Sequence, residues 1–134
     1  MNLGNIRTGL KNRLATISGL RCYDVLPDGF APPAALVAPP SSVRYPASLG
    51  RAHSSLTVTV RVLVAKASDR SAQDKLDAYM GTGTATSVAD AIEGDTTLGG
   101  SCNLARVLSA QGVGVYDYAG VPLLGCEFTV EVLV

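Results

Sequence analysis

The chain has 134 residues, 47% of them hydrophobic, and its eleven basic and eleven acidic side chains cancel. That length suits one domain, which buries roughly two thirds of the surface its unfolded chain exposes. Zero net charge excludes a strong bulk attraction to nucleic acid or to an anionic membrane surface.

The first element is a helix. Leu3, Ile6, Leu10, Leu14 and Ile17 recur at helical spacing, while Arg7, Lys11 and Asn12 fall off the apolar stripe. The pattern predicts an amphipathic helix over residues 3–18, stopped at Ser18-Gly19. Residues 21–26 read as a short strand, followed by a turn at Pro27-Asp28-Gly29. Residues 31–50 contain Pro32, Pro33, Pro39, Pro40 and Pro46. Proline cannot donate to a central ladder, so a loop is expected there, with at most an edge strand over 35–38. Leu36, Val37, Val43, Tyr45 and Leu49 can anchor that loop.

Leu56, Val58, Val60, Val62 and Val64 then alternate with Thr57, Thr59, Arg61, Leu63 and Ala65. This is the clearest strand pattern in the chain. Twelve such residues reach about 40 Å, the width of the domain, so the strand is expected to overhang the body and offer an edge to a neighbour. A second helix is expected over 68–80, with Ser71 and Asp74 as a capping box and Gly81 as its end. Residues 81–86, rich in glycine and threonine, read as a flexible connection. Ser87 and Asp90 repeat the capping box before a short third helix, which carries Val88, Ala91 and Ile92 and closes at Gly94. Residues 102–109 read as a strand, and Gln111-Gly112 and Ala119-Gly120 as turns. Finally, Leu124, Cys126, Phe128, Val130, Val132 and Val134 alternate with Gly125, Glu127, Thr129, Glu131 and Leu133. That predicts a half-buried strand with one acidic face. The whole order predicts an α+β domain: a mostly antiparallel sheet with the N-terminal helix and the central helix pair packed on one face.

The charges are unevenly distributed. Residues 1–66 carry eight Lys or Arg against two Asp, and residues 67–134 carry three against nine Asp or Glu. Either the two halves meet and neutralise each other within one fold, or opposite faces of the subunit carry opposite signs. The second arrangement lets copies pack head to tail, and such contacts close into rings. Cys22, Cys102 and Cys126 match no zinc or redox spacing and read as small buried thiols. Arg7, Lys11 and Arg13 interrupt any apolar run before Leu20. No segment reaches the roughly 18 apolar residues of a transmembrane helix, so a chain made in the cytosol is expected.

No constellation for catalysis emerges. His53 is the one histidine. It lies beside Ser54 and Ser55 with no acidic or cysteine motif nearby, which fits a structural role better than a triad or a metal site. Gly81-Thr82-Gly83 follows a helix and has Thr86 where a dinucleotide loop needs its third glycine. There is no P-loop and no Gly-x-Ser-x-Gly elbow. Asp24 and Asp28 flank Pro27 in a turn, where Asp bonds locally. Glu127 and Glu131 stand about 13 Å apart on one strand face, too far to act on one bond. No catalytic, metal or cofactor residue is assigned. The candidates for partner contact are Arg44, Tyr45 and Arg51 in the proline-rich loop, Arg7 and Lys11 on the first helix, and Glu127 and Glu131 on the last strand.

Two stretches resemble a known group. One is Ser87-Val88-x-x-Ala91-Ile92-x-x-Asp95-x-x-Leu98-Gly99-Gly100. The other is the ending from Gly120 through Pro122, Gly125, Cys126, Glu127 and Phe128 to Val132. Both are similar to stretches of the tail terminator and related neck proteins of actinobacterial phages with long, non-contractile tails. The first helix and the long strand before the helix pair keep the same order, so the resemblance spans nearly the whole chain. It implies an α+β subunit that forms a hexameric ring on the last ring of tail-tube protein. That ring stops tube polymerisation and presents a surface to the head–tail connector protein, in a virion neck built in the host cytoplasm. DNA passes through the lumen of such a ring without specific binding. No cofactor, catalysis or membrane is implied, and no individual site residue carries over. A head-closure protein or tail-tube subunit of the same particle fits the same composition. On the residues alone, a small cytosolic enzyme and a monomeric binding module stay open.

Overall fold

A computed structural model describes residues 2–24, 32–45, 54–66, 68, 70–118 and 120–134. The elements in chain order are α1 (Leu3–Leu14), β1 (Arg21–Tyr23), β2 (Ala34–Val37), β3 (Ser42–Arg44), β4 (Ser55–Lys66), α2 (Ala72–Met80), α3 (Val88–Glu93), β5 (Leu104–Tyr118) and β6 (Val121–Leu133). The two alternating segments of the sequence become the centre of the sheet. β4 and β6 pair antiparallel from Ser55↔Leu133 to Lys66↔Leu123, with one irregularity between Leu63 and Ala65. Side chains alternate across a strand. Leu56, Val58, Val60 and Val62 therefore share one face with Cys126, Phe128, Val130 and Val132, and all eight are buried. Ile6, Leu10 and Leu14 of α1, Leu76 and Tyr79 of α2, and Val88 and Ile92 of α3 complete that core. On the opposite face a small cluster of Leu36, Leu63 and Leu123 packs with Tyr23, Tyr116 and Tyr118, with no helix over it among the described residues. The sheet order is β1-β2-β4-β6-β5, with β3 beside β4, and β1 runs parallel to β2 while the other pairings are antiparallel. The fold is thus α+β, with the N-terminal helix and the central helix pair on one face.

The helices depart from expectation at their ends. α1 stops at Leu14 instead of 18, because the amides of Thr16 and Ile17 turn back to Arg13 and Leu14. Ile17 still completes the apolar stripe and is buried. α2 begins at Ala72, later than 68, and Ser71 makes no side-chain cap bond because its own backbone is already helical (φ −86, ψ −2). At α3 half of the capping box forms. Ser87 is extended, and its hydroxyl accepts from the Asp90 amide at 3.1 Å. The Asp90 carboxylate turns instead to the Gly83 amide at 2.6 Å. With the Thr86 hydroxyl donating to the Ala78 carbonyl at 3.0 Å, the 81–86 connection is tied to both helices, not loose. Ser87 is 1% exposed. Ser87→Ala therefore removes the cap bond at a buried position, at an expected cost of about 1 kcal/mol in urea unfolding. An unchanged midpoint contradicts the capping role.

The proline-rich stretch departs most. Ala34–Val37 is not an edge but a fully buried strand between β1 and β4, and Ser42–Arg44 is a further strand on β4. Pro39 and Pro40 stay out of the ladder, between β2 and β3. The amides of Ala38 and Ser41 on either side bond to Thr59 and Thr57 at 3.0 and 2.9 Å. The long strand does not overhang either. β4 is paired along its length with β6 and flanked on its other side by β2 and β3. Gln111-Gly112 is not a turn, because β5 runs through it for 15 residues. Gly112, at φ +65, sits in an irregularity between Gln111 and Gly114. A bulge can use the same left-handed glycine that a turn does. The expected final turn is present, since the β5–β6 hairpin closes between Tyr118 and Val121 with Gly120 at φ +80. The Pro27-Asp28-Gly29 turn, the Leu49 anchor and Ala119 lie outside the described residues. Among those residues, no helix is long and apolar enough to cross a membrane.

Candidate functional site: a bare sheet face and an open strand edge

The helix-free face of the sheet is built from three cross-strand rows. Thr57, Glu131 and Arg106 form one, Thr59, Thr129 and Ser109 the next, and Arg61, Glu127 and Gln111 the third. Register makes these neighbours, and their chemistry pairs them. Arg106 Nη2 meets Glu131 Oε1 at 3.1 Å, and Arg61 Nη2 meets Glu127 Oε2 at 3.2 Å. Gln111 donates to the Thr129 hydroxyl at 2.6 Å, and Arg61 Nη1 donates to the Tyr118 hydroxyl at 3.2 Å. The Arg61 guanidinium lies 4.9 Å from the Tyr116 ring centroid. The Tyr116 hydroxyl donates to the Gly112 carbonyl and stands 3.3 Å from Glu127 Oε1. Burial and then the Glu127 charge push the Tyr116 phenol above its ordinary value, so it stays a neutral donor.

This arrangement corrects the acidic face expected on the last strand. Glu127 and Glu131 each carry an arginine partner, one from each half of the chain. The pairs are part-exposed, so each contributes at most about 1 kcal/mol, and their effect is to neutralise the face. Leu36, Ala38, Thr59, Arg61, Tyr118 and Glu127 line a hollow of about 180 Å³. That is below the roughly 300–1,000 Å³ of small-molecule sites.

The other candidate residues are dispersed. Arg44 ends β3 and is exposed, and Tyr45 beside it is 70% exposed. Arg7 and Lys11 are half-buried on α1, which packs on the covered face, away from Glu127 and Glu131. Arg51 and His53 lie outside the described residues. Among the described residues, no group of three or more His, Cys, Asp or Glu is placed to hold a metal ion. Burial pushes the Cys22 thiol up to about 11 and that of Cys126 up to about 12, which keeps both protonated and unreactive.

The feature that sequence reasoning missed is the outer edge of β5. Among the described residues this strand pairs with β6 alone. Its beginning is closed off, since the Ala105 amide donates to Thr96 O at 2.7 Å and the Cys102 amide to Thr97 O at 3.2 Å. Farther along, Leu108, Val113 and Val115 are 48, 49 and 61% exposed. Soluble proteins normally cover, shorten or charge such an edge. Along that stretch β5 carries two irregularities, between Val107 and Ser109 and between Gln111 and Gly114, and the one charge of Asp117.

The turn before β5 is held by one carboxylate. Asp95 accepts from the Thr97 hydroxyl at 2.7 Å, the Gly99 amide at 3.0 Å and the Thr97 amide at 3.1 Å. These bonds, the Thr97 hydroxyl first, hold the carboxyl below its ordinary value. They also support Leu98, a non-glycine at φ +50 whose side chain is buried against Gly9 of α1. A depressed folded-state value means the stabilisation is complete above the unfolded value and lost as pH falls through the folded one. The thermal midpoint of the parent is therefore expected to fall more steeply below about pH 4 than that of Asp95→Ala. Parallel pH profiles contradict this.

In comparison with known proteins, the chain matches no family model and has no significant match among curated proteins.

Proposed function

We propose that this chain is a structural virion protein and not an enzyme. Its copies form a ring, six-membered by the resemblance of its sequence, which caps the tail tube of a long-tailed phage, ends its polymerisation and offers the surface to which the head connector joins. The observation that carries this reading is the β5 edge. A strand of 15 residues that, among the described residues, has one partner strand and exposes Leu108, Val113 and Val115 is a surface made for another chain. The neutralised open face adds support. Its arginines are held by glutamates and its other polar groups are hydroxyls and an amide, so it has little charge with which to grip passing DNA.

The test is genetic. A phage whose copy of this gene carries an early stop is expected to make tails of uncontrolled length that do not join heads. Tails of normal length joined to filled heads from that mutant overturn the assignment.

A further inference from the structure

Among the described residues, the large hydrophobic side chains left exposed fall into two groups on opposite sides of the sheet. Leu104, Leu108, Val113, Val115 and Val121 belong to the β5–β6 hairpin. The remaining one is Tyr45, 70% exposed, just past the end of β3. β5 ends the sheet on one side, and β3 lies on the far side of β4 from it. The hairpin is bare because the helical layer stops short of it. α3 packs on β5, and Ala105 at the start of that strand is buried. Farther along, Ala110 is exposed although its partner on β6 is the core residue Phe128. Val115 partners Leu124, which packs against the same core, and Asp117 partners Pro122. Side chains alternate along β6, so Ala110, Val115 and Asp117 share the helix-bearing face, beyond the helices themselves.

The two groups carry opposite charges. β1, β2, β3 and β4 come from the basic first half of the chain, and β6 and β5 from the acidic second half. Arg44 stands next to Tyr45, and Asp117 stands next but one to Val115 on the same face. Both are exposed, and neither is paired within the subunit among the described residues. Glu127 and Glu131, by contrast, are already held by Arg61 and Arg106. The patches also differ in level. Arg44 pairs with Ser55 at the start of β4, whereas Val115 partners Leu124, which is level with Ala65 near its end. They therefore occupy diagonally opposite corners of the sheet, roughly 30 Å apart along the strands.

We infer that copies of this chain join head to tail through these corners, with Tyr45 of one copy seated on Val113 and Val115 of the next and Arg44 against Asp117. This rests on the ring reading above and names the side chains of the contact that builds the ring. A head-to-tail joint covers both exposed groups at once, whereas a two-fold joint between hairpins leaves Arg44 and Tyr45 in water. Tyrosine and arginine are the side chains that most often anchor such contacts, and opposite charges at the rim select the partner and its register. Because the corners are diagonal, the strands are inclined to the axis of the ring that the contact closes.

Charge reversal in the full-length protein tests the contact, read by sedimentation at high protein concentration. Arg44→Asp and Asp117→Arg are each expected to associate at least about ten-fold more weakly than the parent. Tyr45→Ala is expected to weaken association by about ten-fold as well. All three residues are exposed, so thermal midpoints matching the parent's are expected to accompany these losses. An equimolar mixture of Arg44→Asp with Asp117→Arg is expected to recover multimers, because each altered corner then meets its opposite charge on the neighbour. The double variant is expected to recover them for the same reason. Mixed dimers of Asp117→Arg with the parent, tighter than the parent's own association, place Asp117 against Asp117 across a two-fold axis and overturn the inference. A parent that stays monomeric throughout overturns it too. Closed rings from the single variants, as stable as the parent's, defeat this contact and leave the ring. Recovery in the mixture as open chains that never close supports the contact and defeats the ring.

Discussion

Phe128→Ala is expected to destabilise the protein by about 3–5 kcal/mol. Phe128 is among the largest fully buried side chains, 1% exposed at the middle of β6. It stands between Val60 of β4 and Ala110 of β5, on the face covered by the helices. On its β4 side the neighbours are held by a ladder unbroken from Ser55 to Leu63, so that wall of the resulting cavity has little freedom to collapse. Against a total stability of about 5–15 kcal/mol, a loss of that size leaves a marginal protein. Urea titration reads it as a lower midpoint at an unchanged slope. A loss under about 1 kcal/mol contradicts the placement of Phe128 at the centre of the core.

The second large effect separates two glycines that face each other. Gly125 on β6 pairs with Gly114 on β5 on one side and Leu63 on β4 on the other. A glycine inside a strand ordinarily weakens it, so alanine at either position gains up to about 1 kcal/mol from backbone entropy. At Gly125 sterics reverse the sign. A Cβ there falls 2.3 Å from the Val62 carbonyl oxygen and 2.7 Å from Leu63 Cδ2. The carbonyl belongs to the central ladder and cannot retreat without breaking it. Gly125→Ala is therefore expected to cost about 1–3 kcal/mol or more. Around Gly114 an added Cβ meets nothing within 4 Å, so Gly114→Ala is expected to be neutral or slightly stabilising. Thermal unfolding of the pair checks both signs, and a stable Gly125→Ala contradicts the close approach of β4 and β6.

What was legible in the sequence follows from periodicity. β4 and β6 alternate strictly because one face of each is buried, and that alternation located the sheet centre, the core and the side on which the helices pack. Ala34–Val37 was illegible for the opposite reason. It is buried throughout, so it shows no alternation, and its flanking prolines suggested a loop although Pro33 needs only its carbonyl, which accepts from the Arg21 amide. Gly112 misled because a bulge and a turn can require the same backbone geometry. That error hid the length of β5, while the open edge was expected on β4 because of its own length. Glu127 and Glu131 were legible as one strand face. Their arginine partners were not, because Arg61 and Arg106 become neighbours only through the registers of β4 with β6 and β5 with β6. The charge split was visible as a sum, but its meaning depends on the strand order, which keeps the two halves on separate sides and joins them at one pair.

Electron micrographs of tail-tube protein polymerising with and without this chain test the central claim most directly. Closed rings seated at one end of tubes whose growth has stopped are the expected result. Tubes that lengthen equally in its presence, or long cylinders built from the chain itself, contradict it.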